Sequence, residues 1–221
     1  MDFLQIGNLF LHDTIALVTI LNPLAAASIM LGMITAPTPG VIRPIAWRAT
    51  LTIVIAGLVT LYTGEFLFKL FGINVPSIKV IGGVILMMIA INMAYGQPSK
   101  ARHTPEEKEE AQSRVEENED ISIVPLGIPI LFGPGVIATI VVLNHNHQSE
   151  LHNAVESYLL VSVALLASAA CVYFSLRYAG TINRLLGVTG MKILTRIMGL
   201  VVGAIAAQFL VSGIRVLWGG N

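Results

Sequence analysis

The residues of this chain best placed to do chemistry are two breaks, Asn22-Pro23 and Gly133-Pro134-Gly135. Each lies at the centre of an uncharged apolar segment, 14–34 and 121–143 respectively. A helix interrupted inside such a run frees amides and carbonyls that lipid cannot satisfy, so it survives only around a cavity or inside protein. A zwitterion suits that chemistry. Amide donors at a half-helix N-terminus hold its carboxylate, and carbonyls or a side-chain oxygen hold its ammonium. Asn22 offers both a donor and an acceptor. Thr19, Ser28 and Thr139 add hydroxyls about one turn away, and Gly133 and Gly135 admit a ligand close to the backbone. Pro23, Leu24 and Pro134 complete the set at the breaks, and Gln208 is the strong polar candidate in the last apolar run. The competing reading is packing, in which Pro and Gly kink the spans and the hydroxyls bond back to their own helices.

The elements that must position these residues are membrane spans. The chain is 55% hydrophobic and 12% charged, and its uncharged runs are 14–34, 49–64, 80–99, 121–143, 157–176 and 197–214. A spanning helix needs roughly 20 mainly apolar residues. With short flanks all six runs reach that length, the second by tolerating Glu65 near one end. Paired interruptions at corresponding points of two halves mark a transporter's substrate site. Zero formal net charge argues against nucleic acid as a partner, and no Lys or Arg precedes residue 14 to form the basic head of a cleaved leader.

Six spans divide the basic residues ten against three between the two faces. The face with Arg43, Arg48, Lys100, Arg102, Lys108, Arg114, Arg177, Arg184, Lys192 and Arg196 is then cytoplasmic, and both termini lie outside. Trp47 and Trp218 stand at span ends, at headgroup level. The acidic stretch 97–120 reads as a solvated cytoplasmic loop, with a regulatory or metal-binding arm as the alternative.

The halves resemble one another. An offset of 111 residues matches Pro23 to Pro134, Ala27 to Ala138, Ser28 to Thr139 and Ile29 to Ile140. An offset of 116 matches Gly83 to Gly199, Ile89 to Ile205, Ala90 to Ala206 and Asn92 to Gln208, with Gly72 pairing Gly187 one residue out of step. Three spans per copy is an odd number, so the second copy inserts upside down, and the axis relating them lies in the membrane plane. The expected fold is an all-α integral membrane protein. Its six transmembrane helices form two inverted three-helix repeats, 1–96 and 121–221, with the first and fourth helices broken and the loop 97–120 between.

Other polar residues are weaker candidates. Glu65 is the one acid inside a span and the candidate for coupling to a cation gradient, H+ or Na+. Lys69, four residues on, makes an interfacial ion pair the favoured reading. His145, His147 and His152 fall in the loop between spans four and five, expected to be exposed and without metal-ligand spacing. Cys171 reads as a small core residue. Gly199 and Gly203, like Gly82 and Gly83, are expected to let helices pack closely within the molecule.

VPLGIPILFGPG at 124–135, FGINVPSIKVIGG at 71–83, RIMGL at 196–200 and the Asn22-Pro23 element resemble the MarC family over essentially the whole chain. That family comprises six-span membrane proteins and includes neutral amino acid transporters of the NAAT group. One departure is local: transporter-like members often read Asn-Pro-x-Gly-x-x-Pro, where this chain has Ala25 and Ser28. The resemblance implies a secondary transporter in the inner membrane for small neutral amino acids such as glycine and alanine, driven by a cation gradient, with no cofactor. It does not set apart a monomer from a homo-oligomer. Alternatives are an efflux protein or channel for other small solutes, or a non-transporting accessory membrane protein. No paired intramembrane carboxylate, Cys/His spacing or serine–base arrangement marks an enzyme.

Overall fold

The chain opens as a helix, α1 (Phe3–Leu21), which ends at Asn22 in the left-handed region with φ 47° and ψ 62°. The computed structural model describes residues 3–34, 37–95, 121–124, 126–151 and 153–219, and among these residues no strand occurs. Asparagine is one of the few non-glycine residues that visit that conformation. Pro23 then opens α2 (Pro23–Met33) at the position where a missing N–H leaves nothing unsatisfied. Next come α3 (Pro39–Leu70) and α4 (Val75–Ala94). Gly72 turns the chain between them with φ 70°, and Asn74 caps α4 by accepting from the Ser77 amide at 2.9 Å.

Beyond a turn at 121–124, Leu126–Leu131 forms a single wide turn of π-helix, interrupted at Ile128. Pro134 opens α5 (Pro134–Leu151), with the Gly133 carbonyl accepting from Val136 and Ile137. Asn153 caps α6 (Ala154–Arg177), and α7 (Ala179–Leu217) is broken at Gly187, φ 61°. Gly72 and Gly187, paired in sequence, are thus both left-handed glycines ahead of the last long helix of their half.

Antiparallel pairs hold the molecule together. α3 packs on α6, where Gly57 admits Leu165, Tyr62 stacks on Tyr158 at 5.2 Å and Trp47 meets Tyr173 edge-on at 6.2 Å. The most extensive contact is α4 on α7. A Cβ on Gly83 would sit 2.9 Å from the Ala206 carbonyl oxygen and 3.0 Å from the Leu210 amide nitrogen. A Cβ on Gly199 would sit 3.0 Å from the Ala90 oxygen and 3.0 Å from the Ala94 nitrogen. Adding 116 to the first glycine's position gives the second, and subtracting 116 from its partners gives the other set. One further set of contacts echoes this exchange: α2 lies on α6 and α7, while α5 lies on α3 and α4.

Leu17, Ile20, Met30, Ile53, Leu86, Ile140 and Leu165 fill the centre. The outer faces are just as apolar, with Ile55, Val59 and Phe66 exposed on α3, Leu159 and Leu166 on α6, and Leu200 and Val211 on α7. Such a surface is matched to lipid.

Among the described residues, five segments are long and apolar enough to cross a membrane: Leu4–Met33 counted across its break, Pro39–Leu70, Val75–Ala94, Ala154–Arg177 and Thr189–Leu217. The run 121–143 is divided at Gly133 and Pro134 as expected, and a second interruption, at Ile128, lies ahead of that break. His145 and His147 are not loop residues, since α5 carries on to Leu151 with Asn144 and His147 buried. Cys171 is exposed on α6 and not in the core. The acidic loop 97–120 and His152 lie outside the described residues.

Candidate functional site

The two breaks converge on one side of α4. Asn22 is buried, and its side-chain nitrogen points to the Met93 sulfur at 3.8 Å. A Cβ on Gly135 would touch Leu86 at 2.9 Å, Ile89 at 3.4 Å and, across on α1, Ile20 at 3.8 Å. Leu86, Ile89 and Met93 succeed one another at helical spacing, so the breaks sit within about two turns of each other beside the C-terminal half of α4. The first amides of α2 and α5 have no partners inside their own helices. Asn22 meets part of that need: its Oδ1 accepts from the Ala25 amide at 3.4 Å, and its carbonyl accepts from Ala26.

The hydroxyls bond backwards. Thr19 donates to the Ile15 carbonyl at 2.6 Å, Ser28 to Leu24 at 3.3 Å and Thr139 to Gly135 at 2.8 Å. Their protons are committed to their own helices, and their lone pairs remain as acceptors. Pro23 and Gly133 are buried, Leu24 is half-buried and Pro134 is exposed. Gly135 makes room for Leu86, so its missing side chain serves packing in this conformation and not an open approach to backbone. Gln208 stands apart, on the exposed surface of α7.

Sequence reasoning missed a second polar cluster, nearer the end where α1 begins and α5 finishes. Asp13 is fully buried, and its Oδ2 lies 2.7 Å from Nε2 of His147, itself 3% exposed. The other oxygen, Oδ1, lies 3.2 Å from Nδ1 of His12, whose side chain is largely exposed. Next to this pair Ser157 of α6 donates within reach of both oxygens of Asn144, each at 2.8 Å. A buried carboxylate inside a membrane protein is costly unless paired, and such residues mark functional positions. The signal in the sequence was thin: Asp13 precedes the first uncharged run by one residue, and its partner lies 134 positions away.

At the same end, Glu65 and Lys69 form the expected ion pair at 2.8 Å, with the lysine side chain 70% exposed. His145 comes within 4.0 Å of Glu65, and Lys79 donates to Asn146 at 2.8 Å. A cavity of about 420 Å³ opens here between Glu65, Lys69, Asn74, Pro76 and His145.

Residues 7–218 match the sequence model of the MarC family integral membrane proteins. The chain belongs to the MarC family. Similar relatives include a membrane protein of Aquifex aeolicus, 32% identical over 213 residues, covering 96% of this chain and 95% of the relative. The membrane protein YvbG of Bacillus subtilis is 32% identical, covering 92% and 93%. The inner membrane protein MarC of Salmonella paratyphi A is 29% identical, covering 90% and 91%. No solved structure matches the chain. Family membership and the apolar helices make this a multi-pass integral membrane protein.

Proposed function

We propose that this MarC-family protein is a secondary transporter. It carries small neutral amino acids, of the glycine and alanine type, across the inner membrane by alternating access. One observation carries the reading: two helix breaks, each followed by a proline at the first helical position, meet beside the same stretch of α4. The half-helix N-termini then hold the substrate carboxylate, and Asn22 with the lone pairs of Thr19, Ser28 and Thr139 receives the ammonium. The exposed position of Gln208 leaves it the weakest member of the set.

The reciprocal contacts of Gly83 and Gly199, and the left-handed glycines at 72 and 187, support two inverted three-helix repeats, 1–96 and 121–221. Leu126–Leu131 and α5 together supply the sixth span. The bias of basic residues places the loop 97–120 in the cytoplasm and both termini outside. The protein acts on a small-molecule substrate within the lipid bilayer, as a monomer or homo-oligomer, with a cation gradient as its drive and neither a cofactor nor an enzymatic step.

The test is uptake by purified protein in sealed vesicles against a panel of amino acids. Saturable uptake of glycine or alanine, with acidic and basic amino acids excluded, is expected. Vesicles holding folded protein that accumulate none of the panel overturn the proposal.

A further inference from the structure

The buried pair Asp13–His147 is not needed to hold a substrate at the breaks, and it is a poor device for stability alone. Replacing a buried ion pair with well-packed hydrophobic residues of similar volume is often neutral or stabilising. Its geometry suits another ligand, the proton. With Nε2–H donating to Asp13 at 2.7 Å, the other ring nitrogen of His147, Nδ1, is buried and has no hydrogen-bond partner. A neutral imidazole presents a lone pair there. The nearest carboxylate to that nitrogen is Glu150 Oε2, 3.9 Å away, on a side chain 58% exposed. Glu150 therefore joins a buried proton acceptor to the outer solution, across a gap that one rotamer change or one water spans.

We propose that Asp13 and His147 form a proton-binding site loaded from the outer face, and that its occupancy is the coupling step of transport. The second clause rests on the transporter reading given above. Loading moves one proton from the outer solution to Nδ1, giving an imidazolium that keeps its Nε2–H bond to the Asp13 carboxylate. The pair goes from net charge −1 to zero, and release toward the cytoplasm reverses the step. A carboxylate facing a buried imidazolium is cheaper to hold in a low-dielectric interior than one facing a neutral imidazole, with its other oxygen reached only by the largely exposed His12. Protonation therefore favours a closed contact between α1 and α5. Those two helices are the ones that end and begin at the breaks. Asp13 lies nine residues before Asn22, roughly 14 Å, and His147 thirteen residues after Pro134, roughly 20 Å. Clamping or releasing the helices at the pair thus changes the separation of the two half-helix ends.

Other charged groups around the pair are His12 on α1, and His145 and Glu150 on α5. On α6, Glu156 is bonded by Asn153. Glu65 and Lys69 of α3 and Lys79 of α4 lie toward His145 and Asn146, and Arg215 of α7 is exposed at the same end. None but His12 and Glu150 approaches Asp13 or His147 within 4 Å in an ion pair among the described residues.

The test uses the full chain, labelled with 15N-histidine in lipid nanodiscs, and follows ring-nitrogen shifts from pH 5 to 9. Five histidines are present, and His147→Gln assigns the signal. Should that variant not fold, replacing the other four with Gln assigns it instead. The proposal expects His147 to change protonation state within this range, with its midpoint displaced by at least one pH unit in Asp13→Asn. In vesicles, an outside-acid gradient should raise glycine or alanine uptake at least threefold, and His147→Gln should bring that ratio to about one. A His147 signal fixed in one state across the range overturns the proton site. Titration with an unchanged gradient ratio in His147→Gln overturns the coupling. If the wild-type vesicles move no amino acid at all, the transporter reading falls and the titration alone decides the proton site.

Discussion

Replacing Gly83 or Gly199 with alanine tests the packing that sets the two halves against each other. At Gly83 the added Cβ would lie 2.8 Å from Leu210 Cγ, 2.9 Å from the Ala206 oxygen and 3.0 Å from the Leu210 nitrogen. At Gly199 it would lie 2.8 Å from Met93 Cβ and 3.0 Å from both the Ala90 oxygen and the Ala94 nitrogen. These are backbone and near-backbone atoms, which cannot rotate away as a side-chain tip can. The helices must move apart by a few tenths of an ångström, forfeiting dispersion contacts along the whole α4–α7 seam. Overpacking of this kind costs about 1–3 kcal/mol. At about 2–4 °C per kcal/mol for a chain of this size, each variant should melt roughly 2–12 °C lower. Because the two sites make matching contacts, the two shifts should be similar in size. Gly32→Ala is the control: nothing lies within 4 Å of its Cβ, and helix propensity favours alanine by up to about 1 kcal/mol. Thermal unfolding in detergent micelles, followed by circular dichroism, reads all three. Gly83→Ala and Gly199→Ala variants that melt with the wild type would show that the seam is loose and the reciprocal fit is without consequence.

Orientation follows from the distribution of basic residues. In a Cys171→Ser background, a cysteine at Ser113 should resist a membrane-impermeant thiol reagent applied to intact cells, while one at Ser149, exposed at the end of α5, should label. The reverse pattern refutes the assignment. Glu65→Gln removes a pair whose lysine is largely exposed, so it should leave the melting temperature close to that of the wild type and the response to a proton gradient intact. Loss of that response would move the coupling role from Asp13–His147 to Glu65.

The breaks were legible because Pro and Gly inside apolar runs have few other uses, and the matched glycines because close helix approach admits little else. Both are local signals. The boundaries of α5 were not, since Asn144, His145, Asn146 and His147 read as a polar loop. The structure buries Asn144 against Ser157 and His147 against Asp13, so tertiary partners carry the helix two turns further. Asp13 was hidden for the same reason, its partner being distant in sequence. Cys171 and Gln208 share another cause. In a bundle bathed in lipid, apolar composition does not tell an inner helix face from an outer one, and both residues proved to be outside. The left-handed conformation of Asn22 was equally invisible, and it changes how that residue must be tested. Leucine there would strain the backbone and remove the cap on α2, confounding any loss of binding.

Asn22→Gly avoids that confusion, since glycine accepts φ 47° and costs only a few tenths of a kcal/mol as a cap. The decisive measurement is the concentration dependence of alanine uptake by this variant in sealed vesicles, beside wild type of matched melting temperature. Loss of a hydrogen bond to a charged group is worth about 1.5–3 kcal/mol, so half-saturation should rise roughly ten- to a hundredfold. A folded Asn22→Gly protein that transports alanine with wild-type half-saturation would contradict a substrate site at the breaks.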